Sequence, residues 1–321
     1  MLRSTLLALL GAWAFAGATA QTPSEIVSQA PAADWVEIPA ADLLVMDLAP
    51  GQRARPRRVI VQLVPAPFAS GHVANIKLLA REHWWDRTSV NRVQDDYVVQ
   101  WGDASEAKPL PAGLIKVPER DYVALSNTTD ESRRTAAGRA FIAAEIAGTI
   151  RPGAPLGWHE RDAYAPWVDI RSGWPLASDG RASWPVHCYG MVGVGRGLAP
   201  DTGTGAELYV VIGHATRQLD RNIAVVGRVI AGIEHLSSLP RGTGTLGFYE
   251  TAEERVPIVS VRLASELAEA QRPRFEYLSS DTMSFAHYVA ARANRKDSFY
   301  MRPAGGIDVC NIVPPIRPVK G

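Results

Sequence analysis

The strongest constraint in this sequence is how short its apolar runs are. Val59-Ile60-Val61-Gln62-Leu63 has the length of a strand, with Val59, Val61 and Leu63 on one face, and Pro65 and Pro67 stop it. Leu43–Leu48 is a second such run, ended by Pro50-Gly51. From Thr88 to Asp103 the pattern is again that of a strand, centred on Tyr97-Val98-Val99-Gln100-Trp101. Further strand-like segments follow at Cys188–Val194, Glu207–Ile212, Ile223–Val229 and Ile258–Leu263, separated by Gly-rich or Asp-containing turns. Helical spacing occurs from Ser70, a cap, to His83; over Asp130–Ala147; briefly around Gly232–Leu236; and over Ser284–Arg295. Many short strands with few helices predict a mainly β fold, a closed antiparallel barrel rather than a parallel α/β sheet.

The start of the chain reads as an export signal: Arg3, an apolar run from Leu6 to Ala16, then Ala18-Thr19-Ala20 as a small-x-small cleavage site. A mature chain from about Gln21, periplasmic or secreted, is therefore expected. No later stretch approaches the roughly 20 apolar residues of a membrane span. Lys plus Arg number 34 against 33 Asp plus Glu, so charge gives no reason to expect nucleic acid. Cys188 and Cys310 are the only cysteines; an oxidising compartment would allow a disulfide, and two separate buried thiols are the alternative. Residues 104–185 are the least regular part, yet Trp158, Trp167, Trp174 and Trp184 predict an ordered, packed subdomain.

Familiar catalytic motifs are missing. Gly193-Val194-Gly195-Arg196-Gly197 lacks the strand–GxGxxG–helix context of a dinucleotide loop, and no GKS or GKT is present. The histidines, among them His72, His83, His187 and His214, have no metal-site spacing, and neither HExxH nor GxSxG occurs. No cofactor and no metal are expected.

Five segments in order do carry a resemblance. Val59–Leu63 with Ala66-Pro67-Phe68-Ala69 and His72-Val73-Ala74-Asn75-Ile76 resembles the first strand and helix of the cyclophilin-type peptidyl-prolyl isomerases. Trp84-Trp85-Asp86-Arg87-Thr88-Ser89-Val90-Asn91-Arg92-Val93 is similar to that family's FYDGTxFHRV motif, and Tyr97-Val98-Val99-Gln100-Trp101-Gly102-Asp103 to FMxQGGD. Gly205-Ala206-Glu207-Leu208-Tyr209-Val210 stands where GSQFFI belongs, and Leu219–Val229 resembles LDGKHVVFGKV. The likeness spans residues 59–103 and 187–263.

The resemblance implies an eight-stranded barrel capped by two helices. It places a cyclophilin-like domain at 41–266, with an insertion at about 104–185, a linker at 21–40 and a C-terminal extension at 267–321. It implies isomerisation of X–Pro bonds in proline-containing peptides or unfolded exported proteins, with a weakly active peptide-binding module as the alternative. Arg92 falls on the family's catalytic arginine and Gln100 on its pocket glutamine. Tyr97, Val98, Tyr209 and Leu219 take the proline-holding positions. The sequence departs from the pattern where Asn91 replaces His, Glu207 replaces Gln, Gln218 replaces Trp and Ile223 replaces His. Glu207 near Arg92 would either orient the guanidinium or neutralise it.

Overall fold

The computed structural model describes residues 21–51, 54–125, 158–160 and 162–319; the expected export signal and the helix over Asp130–Ala147 lie outside them. Residues 21–40, expected as a linker, instead carry helix α1 (Pro23–Gln29) and strand β1 (Trp35–Glu37). Helix α1 starts with a capping box: the Glu25 amide donates to the Thr22 hydroxyl and the Thr22 amide to the Glu25 carboxylate.

The chain then runs through β2 (Leu43–Leu48), β3 (Arg57–Leu63), helix α2 (Ser70–Arg81), β4 (Ser89–Val93) and β5 (Val98–Gly102). The Thr88–Asp103 run is thus two strands rather than one. The chain reverses between them with Asp96 at φ 49°, a backbone state that aspartate tolerates. The insertion contributes β6 (Ala124–Leu125), β7 (Trp167–Arg171), β8 (Trp174–Ser178) and β9 (Ala182–Pro185), a sheet in the order β6-β9-β8-β7. After it come β10 (Met191–Val194), β11 (Leu208–Val211), β12 (Val225–Ala231), a one-turn helix α3 (Glu234–Ser237) and β13 (Val256–Leu263). Eight of these strands close a barrel in the order β10-β11-β5-β4-β13-β2-β3-β12, all antiparallel.

Alternation along β2 and β3 decides which side chains face inward. Leu44, Met46, Val59, Val61 and Leu63 fill the main core, while Leu43, Val45 and Ile60 point outward into a second apolar cluster. The outward cluster is covered by the tail. Strand β14 (Phe275–Leu278) lies between β1 and β15 (Ile316–Pro318), and Phe275, Tyr277 and Ile316 pack on that cluster. Helix α4 (Met283–Ala293), capped by Thr282, packs against α1 and buries Phe285, Tyr288 and Val289.

The insertion shares the barrel's core: Trp158, Trp174 and Trp184 belong to the same buried cluster as Met46 and Trp85. At the junction the Arg228 guanidinium donates to Gln62 and to the Gly173 carbonyl, with its carbon 4.4 Å from the Trp174 ring centre. Burial pushes Arg228 down to about 9.

Cys188 and Cys310 are joined in a disulfide, with Cα atoms 5.2 Å apart across 122 positions of sequence. In the chain-entropy account a loop of this size adds about 4–5 kcal/mol. Replacing both with serine should lower the denaturant midpoint by a comparable free energy, and intact mass without reductant should show the native chain lighter by two hydrogens.

Candidate active site

The site grows out of strand register. Arg92 on β4 faces Gln100 on β5, Gln100 faces Tyr209 on β11, and Tyr209 faces Gly193 on β10. On β5, Val99 and Trp101 enter the barrel core, so Val98 and Gln100 point outward. Strict alternation would put Arg92 on the face of Val90, inside the barrel. It does not, because the register slips between Val90 and Arg92 and leaves Asn91 as a bulge. Val90 and Val93 both enter the core and Arg92 turns out.

Arg92 is held firmly once there. Its Nε donates to the Leu246 carbonyl at 2.8 Å, Nη1 to Gln100 Oε1 at 3.2 Å, and Nη2 to Gln94 Oε1. The guanidinium carbon lies 5.2 Å from the Phe248 ring centre and 5.7 Å from that of Tyr97. Among the described residues, three of its five N–H donors find a hydrogen-bond partner and two do not. Burial lowers its pKa, but an arginine keeps its charge under any physiological condition.

Glu207 does not pair with Arg92. The Gln100 amide lies between them, accepting from Arg92 through Oε1 and donating to Glu207 Oε2 through Nε2 at 3.4 Å. Asn91 Nδ2 donates to the same oxygen at 3.5 Å. The carboxylate fits because residue 102 is glycine: a Cβ there would overlap it. Burial pushes Glu207 up to about 7, against the hydrogen bonds from Gln100 and Asn91 that favour the charged form.

Below this polar rim lies an apolar floor. Val98, Tyr209 and Val211 form a cluster separate from the barrel core, with Tyr97, Leu219 and Ile223 against it. Gly193 leaves room for the Tyr209 ring, since a Cβ there would overlap the phenol. Arg92, Gln100, Tyr97, Val98, Glu207, Tyr209, Leu219 and Ile223 all line one groove of about 700 Å3. Gln218 is exposed and does not line it.

Sequence reasoning missed much of the rim. Trp84, Glu106, Lys108, Leu110, Arg196 and Asp201 also line the groove. Leu246 and Phe248 come from the loop between α3 and β13, a stretch with no motif to mark it. Two glycines in register with nothing to pack, 193 and 102, were the available signal that bulky partners needed space. Among the described residues, no group of three or more His, Cys, Asp or Glu could hold a metal.

Glu207 gives a pH-dependent prediction. Its carboxyl is harder to ionise in the fold, so its contribution is intact below about 4.5 and declines as the pH rises through about 7. Glu207→Gln should therefore be more stable than the native chain at pH 8, by about 2 kcal/mol after allowing for solvent contact, with no gain at pH 4. Thermal unfolding across that range checks it.

Comparison with known proteins accords with this geometry. The family model described as "Cyclophilin type peptidyl-prolyl cis-trans isomerase/CLD" matches residues 56–263. No curated protein matches the chain. The crystal structure of cyclophilin AquaCyp293 from Hirschia baltica is 20% identical, with a TM-score of 0.59, covering 89% of this chain and 95% of its own. A Cryptosporidium parvum cyclophilin-type peptidyl-prolyl cis-trans isomerase, solved in the presence of the dipeptide ala-pro, is 10% identical with a TM-score of 0.36, over 69% of this chain and 98% of its own. The family match extends over well more than half of the sequence and takes in seven of the eight barrel strands, from β3 to β13, leaving out only β2, so this chain belongs to the cyclophilin-type peptidyl-prolyl cis-trans isomerase family.

Proposed function

We propose that the chain isomerises X–Pro bonds of exported proteins, at a rate or over a substrate range narrower than an open cyclophilin groove would allow. Family membership implies peptidyl-prolyl isomerase activity. The observation that carries the finer reading is the position of Arg92 over an apolar floor, with two N–H groups still unengaged.

Rotating an X–Pro bond meets a barrier of about 18–20 kcal/mol, because twisting destroys amide resonance. No nucleophile is required. The site has to bind the twisted state better than either planar one. As conjugation breaks, the prolyl nitrogen regains a lone pair, and a fixed guanidinium donates to it. Tyr97, Val98, Tyr209, Leu219 and Ile223 would hold the pyrrolidine ring while the preceding carbonyl swings. Gln100 orients Arg92, and Glu207 fixes which way the Gln100 amide faces. Glu207 therefore acts on the guanidinium through an intermediary, without neutralising it.

Narrowed activity is supported by the crowding of Arg92. Phe248 and Tyr97 flank the cation and Gln94 takes part of its donor set. An oxidising, exported location is supported by the disulfide between Cys188 and Cys310.

Catalysed exchange on a short X–Pro peptide, followed by magnetisation transfer, is the test. The native chain should accelerate exchange, and Arg92→Ala should reduce kcat/KM about a hundredfold, as for loss of a transition-state donor. Arg92→Lys should fare little better, since one ammonium cannot reach Leu246, Gln100 and the peptide together. Absence of acceleration by the native chain, with retained peptide binding, would favour a binding module.

A further inference from the structure

Beneath the groove a polar chain runs through the interior. The Tyr209 hydroxyl lies 3.0 Å from His187 Nε2, and His187 Nδ1 lies 3.0 Å from Asp220 Oδ1. The same carboxylate accepts the His187 backbone amide at 3.0 Å. Its second oxygen takes Arg217 Nε at 2.7 Å, and Arg217 Nη2 donates to Asp162 Oδ1 at 2.8 Å. Tyr209, His187, Asp220 and Arg217 are buried, and the Asp162 side chain is only 2% exposed. Asp162 belongs to the insertion and Tyr209 to the floor of the groove.

We propose that His187 is a positioning residue for Tyr209, and that the insertion reaches the floor of the groove through Asp162, Arg217 and Asp220. This rests on the groove being the prolyl site.

Three observations support it. A buried phenol costs free energy unless it is bonded, and Tyr209 spends its one hydroxyl on His187. Phenylalanine, which the GSQFFI pattern carries there, would fill the same space without that need, so the hydroxyl earns its place by fixing the ring. The carboxylate of Asp220 can only accept, so Nδ1 carries a proton, and in the neutral imidazole Nε2 then receives the phenol hydrogen. Charged groups in the interior stabilise a fold poorly compared with apolar packing but impose one geometry. Here the geometry imposed is that of the ring forming the floor, with its ring centre 6.3 Å from that of His187 and only 12° between their planes.

His187→Asn keeps an amide near the Nδ1 position for Asp220 and loses the reach to Tyr209, so the fold survives while the ring is released. His187→Gln is the complement, keeping a donor or acceptor near Nε2. In the ligand-free protein, the Tyr209 ring should flip faster in His187→Asn than in the native chain, by NMR line shape, and His187→Gln should restore slow flipping. Asp162→Asn should shift the Val98 methyl resonances although it lies in the insertion. With an Ala-Pro peptide as probe, His187→Asn should weaken the Kd about fivefold, the worth of one lost hydrogen bond. It should do so no further in a Tyr209→Phe background.

Unchanged ring flipping in His187→Asn overturns the proposal, and so does a Kd loss that persists undiminished beside Tyr209→Phe. If the native chain neither binds nor isomerises the peptide, the prolyl-site reading falls, and the ligand-free ring-flip comparison still decides the role of His187.

Discussion

A guanidinium can act on a peptide nitrogen only if it is held still and shielded from bulk water, and one extra residue in β4 makes both possible here. The bulge at Asn91 turns Arg92 out of the barrel interior and onto the face shared by Gln100 and Tyr209. Once there, the Leu246 carbonyl and two glutamine amides fix its fork. Without the bulge the same sequence would bury an unpaired cation among valines, at a cost no packing could offset. The polar rim and the apolar floor depend on that one local irregularity.

The rim has a hierarchy. Arg92 lines the groove; Gln100 relays between it and Glu207; Asn91, the bulged residue itself, reaches the same carboxylate. A carboxyl pushed to about 7 sits where modest changes of pH alter its charge, and with it the pull on the Gln100 amide. Replacement of a neutral glutamine by Glu207 thus alters how firmly the guanidinium is oriented while leaving its charge intact.

Much of this was legible in the sequence, for definable reasons. Leu43–Leu48 and Val59–Leu63 announced themselves because one set of side chains faces a core and the alternate set faces a covering sheet, so both sides are apolar. The eight groove residues came together because five short motifs fixed their order, and order in an antiparallel barrel fixes register. The hairpin between β4 and β5 had only Asp95-Asp96 to mark it, with no glycine or proline, and so the run read as one strand. The bulge had a visible trace that periodic reading passes over: Val90 and Val93 are spaced by three, a strand pattern with one residue too many. His187, Arg217 and Asp220 were unreadable because their meaning lies in contacts across 33 and 55 positions of sequence. The lead at 21–40 looked like a linker because its partner strand lies beyond residue 270.

That last pairing has a consequence for biosynthesis. The sheet that shields Leu43, Val45 and Ile60 joins the first strand of the described residues to the last two, with β14 between β1 and β15. Residues 316–318 must leave the ribosome before it can close. Until those residues emerge, the outward apolar stripe along β2 and β3 has no cover from the tail that shields it in the finished fold.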